Sequence, residues 1–200
     1  MPESRIITQL RRGMRDYRAR TIAGDFPDAA VVFAVNTAEQ PSVLLTRRAP
    51  HLSLHAGEIA FPGGKRDPED DSLLATALRE MEEEVGVGGE HLEVLGALHQ
   101  RITRTRIRVT PYLALLPADI PLRVDRGELD SAFYVPVDTL RGGELFSLID
   151  VLDNGVTKRV ARFRFGDYDI WGVTALILAD ALNALLDAGL PIDTDIVEAP

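Results

Sequence analysis

The apolar positions in the first half of the chain predict one amphipathic helix followed by two strands. Residues 3–20 place apolar side chains at helical spacing among many arginines, which predicts a helix packed on the domain. A partner-binding helix is the alternative. Residues 29–35 form a continuous, valine-rich apolar run typical of a buried strand. Residues 43–46 form a second such run after a turn with Pro41, so we interpret 29–46 as a hairpin.

The second half of the chain contains further strand patterns and one long apolar segment at its end. The runs with the apolar content of strands are 92–98, 109–116, 148–152 and 159–165. Pro111 lies inside one of them, and proline is tolerated at a sheet edge or a bulge. Asn154-Gly155 is a strong hairpin signal between the last two runs. The remaining apolar segment predicts a helix that opens at Ile170 and ends near Leu186, with Trp171 as a core anchor.

A helix that follows an acidic loop is the centre of the chain. Its apolar residues recur at i, i+3, i+4, i+7 and i+11 and form a single face. They are Leu74, Ala77, Leu78, Met81 and Val85. Ser72 or Asp71 is the predicted N-cap, and Gly86 is the predicted C′ residue.

Three glutamates of this helix lie together beside the apolar face. At about 100° per residue, Glu80, Glu83 and Glu84 span an arc of roughly 100°, while Glu82 lies on the opposite flank. Like charges at this spacing repel, and burial beside a core adds a desolvation cost. A hard divalent cation with oxygen ligands removes that cost, and Mg²⁺ takes carboxylates together with phosphate oxygens. The alternative is a solvated acidic helix face.

The sequence from Arg79 to Val87 resembles the second half of the Nudix box. It runs Arg-Glu-Met-Glu-Glu-Glu-Val-Gly-Val, and every position fits the family pattern. The first half departs from that pattern, because the arginine comes one residue late when counted from Gly64. Position six of that count is Asp70, so either a residue is inserted or Asp71 takes the place of the family's glutamate.

This resemblance implies a fold, a cofactor and a set of catalytic residues. The fold is α/β (α+β), with a mixed sheet sandwiched between helices, and the cofactor is Mg²⁺, with Mn²⁺ able to replace it. The implied metal ligands are Glu80, Glu83, Glu84 and the backbone carbonyl of Gly63. Glycine also allows the close backbone approach that such a turn needs.

The resemblance assigns further roles outside the metal ligands. Arg79 is implied to hold a box acid in place, and Glu80 and Glu83 are counted with it as catalytic. Residues 128–133 resemble a family segment that precedes a Val-Pro pair, so Glu128 is a candidate to complete the metal site or to act as base. The choice of base stays open between a box glutamate and Glu128. A solvent-facing acid is the alternative for Glu128.

Residues 44–64 resemble a second signature, that of the coenzyme A pyrophosphatase branch. Leu-Leu-Thr, an arginine, and a distant Phe-Pro-Gly-Gly match it in spacing, but Ser53 stands where the signature has arginine. The implied substrate-binding residues are Arg47, Arg48, Gly57, Phe61 and Gly64. Ordinary surface arginines are the alternative for the first two of these.

The implied reaction is Mg²⁺-dependent hydrolysis of the coenzyme A diphosphate to 3′,5′-ADP and 4′-phosphopantetheine. One alternative is a Nudix hydrolase of another nucleoside diphosphate derivative, such as ADP-ribose, NADH or a nucleotide. A second alternative is a noncatalytic Nudix module that binds a nucleotide. A structural calcium loop is disfavoured, because residues 67–71 lack the alternating Asp pattern of such loops.

The composition of the chain argues against several classes of binding partner and bears on the cellular compartment. The chain has 200 residues, a formal net charge of −9 and no cysteine. The charge argues against nucleic acid and acidic membranes, and the missing cysteines exclude disulfides and Cys-based zinc sites. No apolar run reaches a membrane span. We expect a cytoplasmic enzyme with a small-molecule substrate, and the oligomeric state stays open.

We expect one domain with short additions at both ends. Residues 1–28 are predicted as a helical segment packed on the domain, 29–190 as the Nudix domain and 191–200 as a tail. Basic residues at 101, 104, 106 and 108 form an island of positive charge, which is either a solvated hairpin or a guide for substrate phosphates.

Overall fold

The computed structural model describes residues 3–52, 55–153 and 155–192. The helices are α1 (Arg5–Asp16), α2 (Leu73–Val85), α3 (Val137–Arg141) and α4 (Gly172–Leu186), with a 3-10 turn at Gly89–His91. The strands are β1 (Asp28–Asn36), β2 (Ser42–Arg48), β3 (Ile59–Ala60), β4 (Gly63–Lys65), β5 (Glu93–Ala97), β6 (Arg101–Ile102), β7 (Arg108–Leu116), β8 (Leu129–Pro136), β9 (Phe146–Asp153), β10 (Val156–Phe165) and β11 (Tyr168–Trp171).

The main sheet is mixed, as the family resemblance implied. Its strand order is β3-β2-β1-β7-β5, with β4 paired to β1, β6 to β7 and β8 to β2. Among the strands of the described residues, only β1 and β7 run parallel to each other. The predicted strands at 29–35 and 43–46 are confirmed, although β1 and β2 pair antiparallel only at Val35 and Val43. Most of the pairing of β1 is instead with β7.

Both faces of the main sheet are covered, which confirms the predicted α/β/α arrangement. Alternate residues of β1 point to opposite faces. Phe33 and Val35 belong to a core with α1 and α4, while Ala30 and Val32 belong to a second core with α2. A strand that is buried on both faces has apolar residues at nearly every position, which explains the continuous apolar sequence of β1.

Pro111 lies in the interior of the main sheet and not at its edge, since β7 has β1 on one side and β5 and β6 on the other. The proline is accommodated because its antiparallel neighbour is interrupted between β5 and β6. The carbonyl of Pro111 accepts a hydrogen bond from the N–H of Leu98 there. The absent N–H of Pro111 faces the same interruption and costs no regular ladder bond.

A second sheet has the order β11-β10-β9. The predicted hairpin at its end is confirmed by the pairing of Val156 with Asp153, although Asn154 lies outside the described residues. The prediction of the last helix was wrong at its start, because 168–171 form β11 and α4 begins at Gly172. Ile170 fills the core and Trp171 is only partly buried, so the anchor is the residue before the one predicted.

The predicted N-terminal helix is confirmed as α1. Ile6, Ile7 and Leu10 are buried in the core that α4 shares, so this helix contributes directly to the packing of the domain. Within the described ranges, no helix is long and apolar enough to cross a membrane. The division at residues 28 and 190 stays a prediction.

Candidate active site

Helix α2 is fixed at both ends by the predicted caps. The Ser72 hydroxyl accepts a hydrogen bond from the N–H of Ala75 at 3.1 Å. Gly86 takes the left-handed conformation with φ of 72° and donates its N–H to the Glu82 carbonyl. Met81 and Val85 are fully buried against the sheet. These contacts set the rotation of α2 and therefore the direction in which its glutamates point.

The Gly63-Gly64 turn lies directly against the glutamates of α2. The N–H of Gly63 donates to Glu84 Oε2 at 3.0 Å. A Cβ on Gly63 would lie 2.4 Å from the Ala30 carbonyl oxygen, and a Cβ on Gly64 would lie 2.3 Å from the carboxyl carbon of Glu80. Only glycine therefore fits at position 63, whereas a side chain at position 64 would need the Glu80 carboxylate to move out of the space that it occupies.

Gly63 faces away from β1 with both of its main-chain polar groups. Val32 donates its N–H to the Pro62 carbonyl, and Val31 stands opposite Gly63. Hydrogen-bonded and non-bonded pairs alternate in an antiparallel ladder, so Gly63 belongs to a non-bonded pair. This agrees with the donation of its N–H to Glu84, and it leaves its carbonyl on the same outward side.

Burial shifts the protonation equilibrium of two glutamates of this site, buried Glu84 and partly buried Glu80, toward the protonated form. Burial raises the pKa of Glu84 to about 8, with further increases from the charges of Glu80 and Glu128, while the Gly63 N–H opposes the shift. Burial also raises the pKa of Glu80, and the hydrogen bond from Arg79 opposes that shift. The site thus contains carboxylates that lack enough positive charge to neutralise them.

Arg79 connects three carboxylates around the turn. It forms two hydrogen bonds to Asp70, from Nε at 3.0 Å and from Nη2 at 3.1 Å. Its Nη1 donates to Glu80 at 2.9 Å and to Glu83 at 3.1 Å. These bonds agree with the expectation that Arg79 holds a box acid in place. Glu83 is turned toward Arg79, and its side chain is 60% exposed.

Asp70, and not Asp71, is the acid of the loop that faces the helix. Asp70 is buried and also accepts hydrogen bonds from the Thr76 hydroxyl at 2.8 Å and from the N–H of Asp67 at 2.9 Å. The bonds from Arg79 are the main reason why its pKa lies well below the ordinary value. Asp71 is exposed, so the extra residue follows Asp70. The contribution of Thr76 was not predicted, because Thr76 lies off the apolar face of α2 and its spacing gives no sign of a polar partner.

Glu128 lies near the glutamates although it is distant in sequence. Its loop is held on α2 by a hydrogen bond from the N–H of Asp125 to the Glu84 carbonyl at 2.9 Å. The Glu128 carbonyl accepts from the N–H of Ala49 at 2.9 Å. Its carboxylate is exposed, and its charge contributes to the raised pKa values of Glu80 and Glu84. The structure therefore brings this candidate to the site.

The two predicted arginines differ in position. Arg48 is partly buried and its charge lowers the pKa of Glu84, so it lies within electrostatic reach of the site. Its Nε is buried and has no hydrogen-bond partner among the described residues. Arg47 is exposed and lies 3.9 Å from Asp130. Arg48 is thus the arginine with an unused donor close to the glutamates.

The other predicted substrate-binding residues lie along the same segment. Gly57 has φ of 73° and donates its N–H to the Arg48 carbonyl at 3.1 Å, which closes the loop after β2. Phe61 is buried on Phe33 at a ring-centroid distance of 4.8 Å. Its side chain supports the turn before Gly63 from the core. Ser53 lies outside the described residues.

The donors around Glu80 and Glu84 fit a hard divalent cation in their chemistry. They are carboxylate oxygens with an outward-facing glycine carbonyl beside them, which are Mg²⁺-type ligands. Within the part of the chain that is described, no three acidic, histidine or cysteine side chains stand close enough to hold a metal. Glu83, the third predicted ligand on the helix, is hydrogen bonded to Arg79 in this structure.

The basic island after β5 consists largely of internal ion pairs. Arg101 is buried in contact with Asp180, and burial lowers the pKa of Arg101 to about 10. Arg108 forms two hydrogen bonds to Asp28, at 2.7 and 3.0 Å. These two arginines belong to the fold, so neither a solvated hairpin nor a phosphate guide describes them.

Comparison with known proteins identifies the family of this chain. The model of the NUDIX domain matches residues 25–154, the range that contains the glycine turn, the glutamate helix and Glu128. The chain belongs to the Nudix family. It is a Nudix hydrolase, an enzyme that acts on phosphoric anhydrides in which a nucleoside diphosphate is linked to another group.

Relatives of this Nudix hydrolase support the assignment. "Uncharacterized Nudix hydrolase NudL" of Yersinia pestis (strain Pestoides F) is 40% identical over 150 residues, which cover 75% of each chain. The protein of the same name from Yersinia pseudotuberculosis serotype O:1b (strain IP 31758) is equally similar. A MutT/nudix family protein from Enterococcus faecalis matches with a TM-score of 0.53 and 18% identity over 94% of this chain and 76% of its own. This last likeness shows the fold alone.

Proposed function

We propose that this Nudix hydrolase cleaves the diphosphate of coenzyme A and its derivatives into 3′,5′-ADP and 4′-phosphopantetheine, with Mg²⁺ as cofactor. The observation that carries the proposal is the position of Arg48. This residue belongs to the segment 44–64, which resembles the coenzyme A signature, and its buried Nε has no partner beside an acidic site. An unpaired buried donor is costly, and a phosphate oxygen would satisfy it.

Different residues of the chain have different proposed roles in the reaction. Glu80 and Glu84 hold the cation, with the Gly63 carbonyl and a reoriented Glu83 as further ligands. Bound Mg²⁺ supplies Lewis acidity, which neutralises charge on the diphosphate and makes water a better nucleophile. Arg79 keeps the Glu80 carboxylate in one orientation. A box glutamate or Glu128 accepts the proton from water.

Product analysis tests the proposed substrate. We expect mass spectrometry to detect 4′-phosphopantetheine and 3′,5′-ADP after incubation of the protein with coenzyme A and Mg²⁺. A panel with ADP-ribose, NADH and nucleotides compares kcat/KM under the same conditions. Faster hydrolysis of any panel member than of coenzyme A would contradict the substrate assignment. Loss of all activities after chelation, with recovery on Mg²⁺ addition, checks the cofactor.

The arginines near the site can be tested for contact with the 3′-phosphate. We compare KM for coenzyme A with KM for its analogue that lacks this phosphate. If Arg48 binds the phosphate, Arg48→Ala raises the first KM and leaves the second nearly unchanged, while exposed Arg47→Ala serves as the matched control. Ser53→Arg restores the signature residue and should lower KM several-fold, since a charge-assisted hydrogen bond contributes about 1.5–3 kcal/mol. An unchanged ratio in every variant would show that this segment does not recognise the 3′-phosphate.

A further inference from the structure

Strand β9 is an open edge of the second sheet. It pairs with β10 on one side, and no strand of the described residues pairs with its other side. The register with β10 is unbroken from Phe146 to Asp153, without a bulge. The strand contains neither lysine, arginine nor proline. Natural proteins protect exposed edges with lysine, proline, bulges or other charged residues. The charged residues of β9 are Asp150 and Asp153, and Asp150 is paired with Arg159 of β10, so this long regular edge favours a partner that covers it.

The main-chain groups available on this edge can be assigned. The carbonyl of Leu145 accepts a hydrogen bond from the N–H of Arg164, which makes this a bonded pair with β10. Bonded and non-bonded pairs alternate in an antiparallel ladder. The main-chain groups of alternate residues therefore point outward from the sheet. These residues are Phe146, Leu148, Asp150 and Leu152, and the N–H of Phe146 already donates to the Gly143 carbonyl at 3.0 Å.

The exposed apolar side chains of the protein lie at the end of the same hairpin. Leu152 is 72% exposed and Val156 is 59% exposed, and they are the large hydrophobic residues with this exposure in the described chain. Leu152 shares a face with Phe146, whose ring packs on Phe163 in the core. The helix layer covers this face at Phe163 and leaves Leu152 uncovered.

We propose that β9 pairs antiparallel with β9 of a second copy of this chain, with the two-fold axis at Ile149. This register opposes Phe146 to Leu152 of the other copy and Leu148 to Asp150. It satisfies the outward N–H groups of Leu148, Asp150 and Leu152 in both strands and places each exposed Leu152 beside a phenylalanine. In this register, Asp150 of one copy does not lie opposite Asp150 of the other copy. Such an interface is self-complementary and closes as a dimer.

A single cysteine tests the register, because the protein has no cysteine of its own. Two Ile149 residues at the axis would form a non-bonded pair with Cα atoms about 4.5 Å apart, which is within disulfide range. We expect Ile149→Cys to form a covalent dimer under mild oxidation. Ser147→Cys is the matched control, because its copies would be displaced by about 13 Å along the strand. Equal cross-linking of both variants, or none, would overturn the proposed register.

A proline tests the main-chain pairing. The N–H of Asp150 points outward, so Asp150→Pro removes a bond to the second copy and none to β10. Asp150→Ala removes the same side chain and its ion pair with Arg159, but it keeps the N–H. In light scattering coupled to size exclusion, we expect twice the chain mass for wild type and Asp150→Ala and the single mass for Asp150→Pro. A monomeric wild type, a dimeric Asp150→Pro, or a monomeric Asp150→Ala would overturn the proposal. Unchanged circular dichroism checks that each variant is folded.

Discussion

Asp70 holds Arg79 by two hydrogen bonds, at 3.0 and 3.1 Å, and Arg79 holds the Glu80 carboxylate at 2.9 Å. The acidic loop before α2 therefore positions a glutamate of the site through one arginine. Asp70 itself is fixed by Thr76 and by the N–H of Asp67. This connection gives the loop a role in orientation that needs no contact with substrate.

Asp70→Asn should lower activity without changing the fold. The substitution removes the charge that holds Arg79, and loss of a group that orients a ligand typically costs about 10–100-fold in activity or metal affinity. Initial rates over a Mg²⁺ series measure both effects. Exposed Asp71→Asn is the matched control and should behave as wild type. Equal activity of the two variants would contradict the positioning role of Asp70.

The two glycines of the turn should respond differently to alanine. Gly64→Ala places a Cβ against the Glu80 carboxylate, which can move, so activity should fall while the melting temperature changes little. Gly63→Ala meets the main chain of β1 at a φ of 149°, so the melting temperature should fall markedly. Gly142→Ala is a control, because its φ of −64° suits any residue. Equal loss of stability in the first two variants would contradict this distinction.

Local signals explain why much of the site was predictable from the sequence. The rotation and the ends of α2 follow from apolar spacing and from the caps Ser72 and Gly86, which depend only on neighbouring residues. The approach of Glu128 depends on a loop that docks on α2 through main-chain hydrogen bonds, and only the family resemblance pointed to it. The burial of Arg48 Nε without a hydrogen-bond partner results from packing between segments that are distant in sequence. The spacing of apolar residues therefore does not predict it.

The errors in the predicted fold also arise from tertiary packing between segments that are distant in sequence. Pro111 is accepted inside the sheet because a neighbouring strand is interrupted beside it, and this is a tertiary feature. Strand β11 is short and is followed directly by α4. Its apolar residues therefore continue the apolar pattern of the helix, and the sequence predicts them as the first helical turn. The sequence predicts Trp171 as a core anchor, but the strand periodicity turns Ile170 inward instead.

The stability of the metal-free protein should fall as the pH rises from 5 to 8. Burial raises the pKa of Glu84 from 4.5 to about 8, so the folded protein keeps a proton that the unfolded chain releases in this range. The pKa of Glu80 is raised in the same direction. Asp70 has a lowered pKa, and its contribution is lost only below its ordinary value of 3.8.

Melting temperatures of chelated protein over this pH range measure the effect. Glu84→Gln should show a shallower decline, because its side chain does not titrate. Mg²⁺ should raise the melting temperature of wild type most at pH 8, where the carboxylates are charged, and should have less effect on the variant. Parallel curves for wild type and Glu84→Gln would show that Glu84 does not carry the pH dependence.

The most direct test of the site compares two substitutions within one turn of α2. Glu84 is buried against Gly63, whereas Glu82 is exposed on the other side of the helix. Both changes to glutamine remove one negative charge and keep the shape of the side chain. The decisive measurement is kcat at saturating coenzyme A and Mg²⁺. Glu84→Gln should lose orders of magnitude while Glu82→Gln stays near wild type, as expected when an electrostatic contact at the reaction is removed. A folded Glu84→Gln that kept more than about a tenth of the wild-type kcat would contradict the assignment of this site.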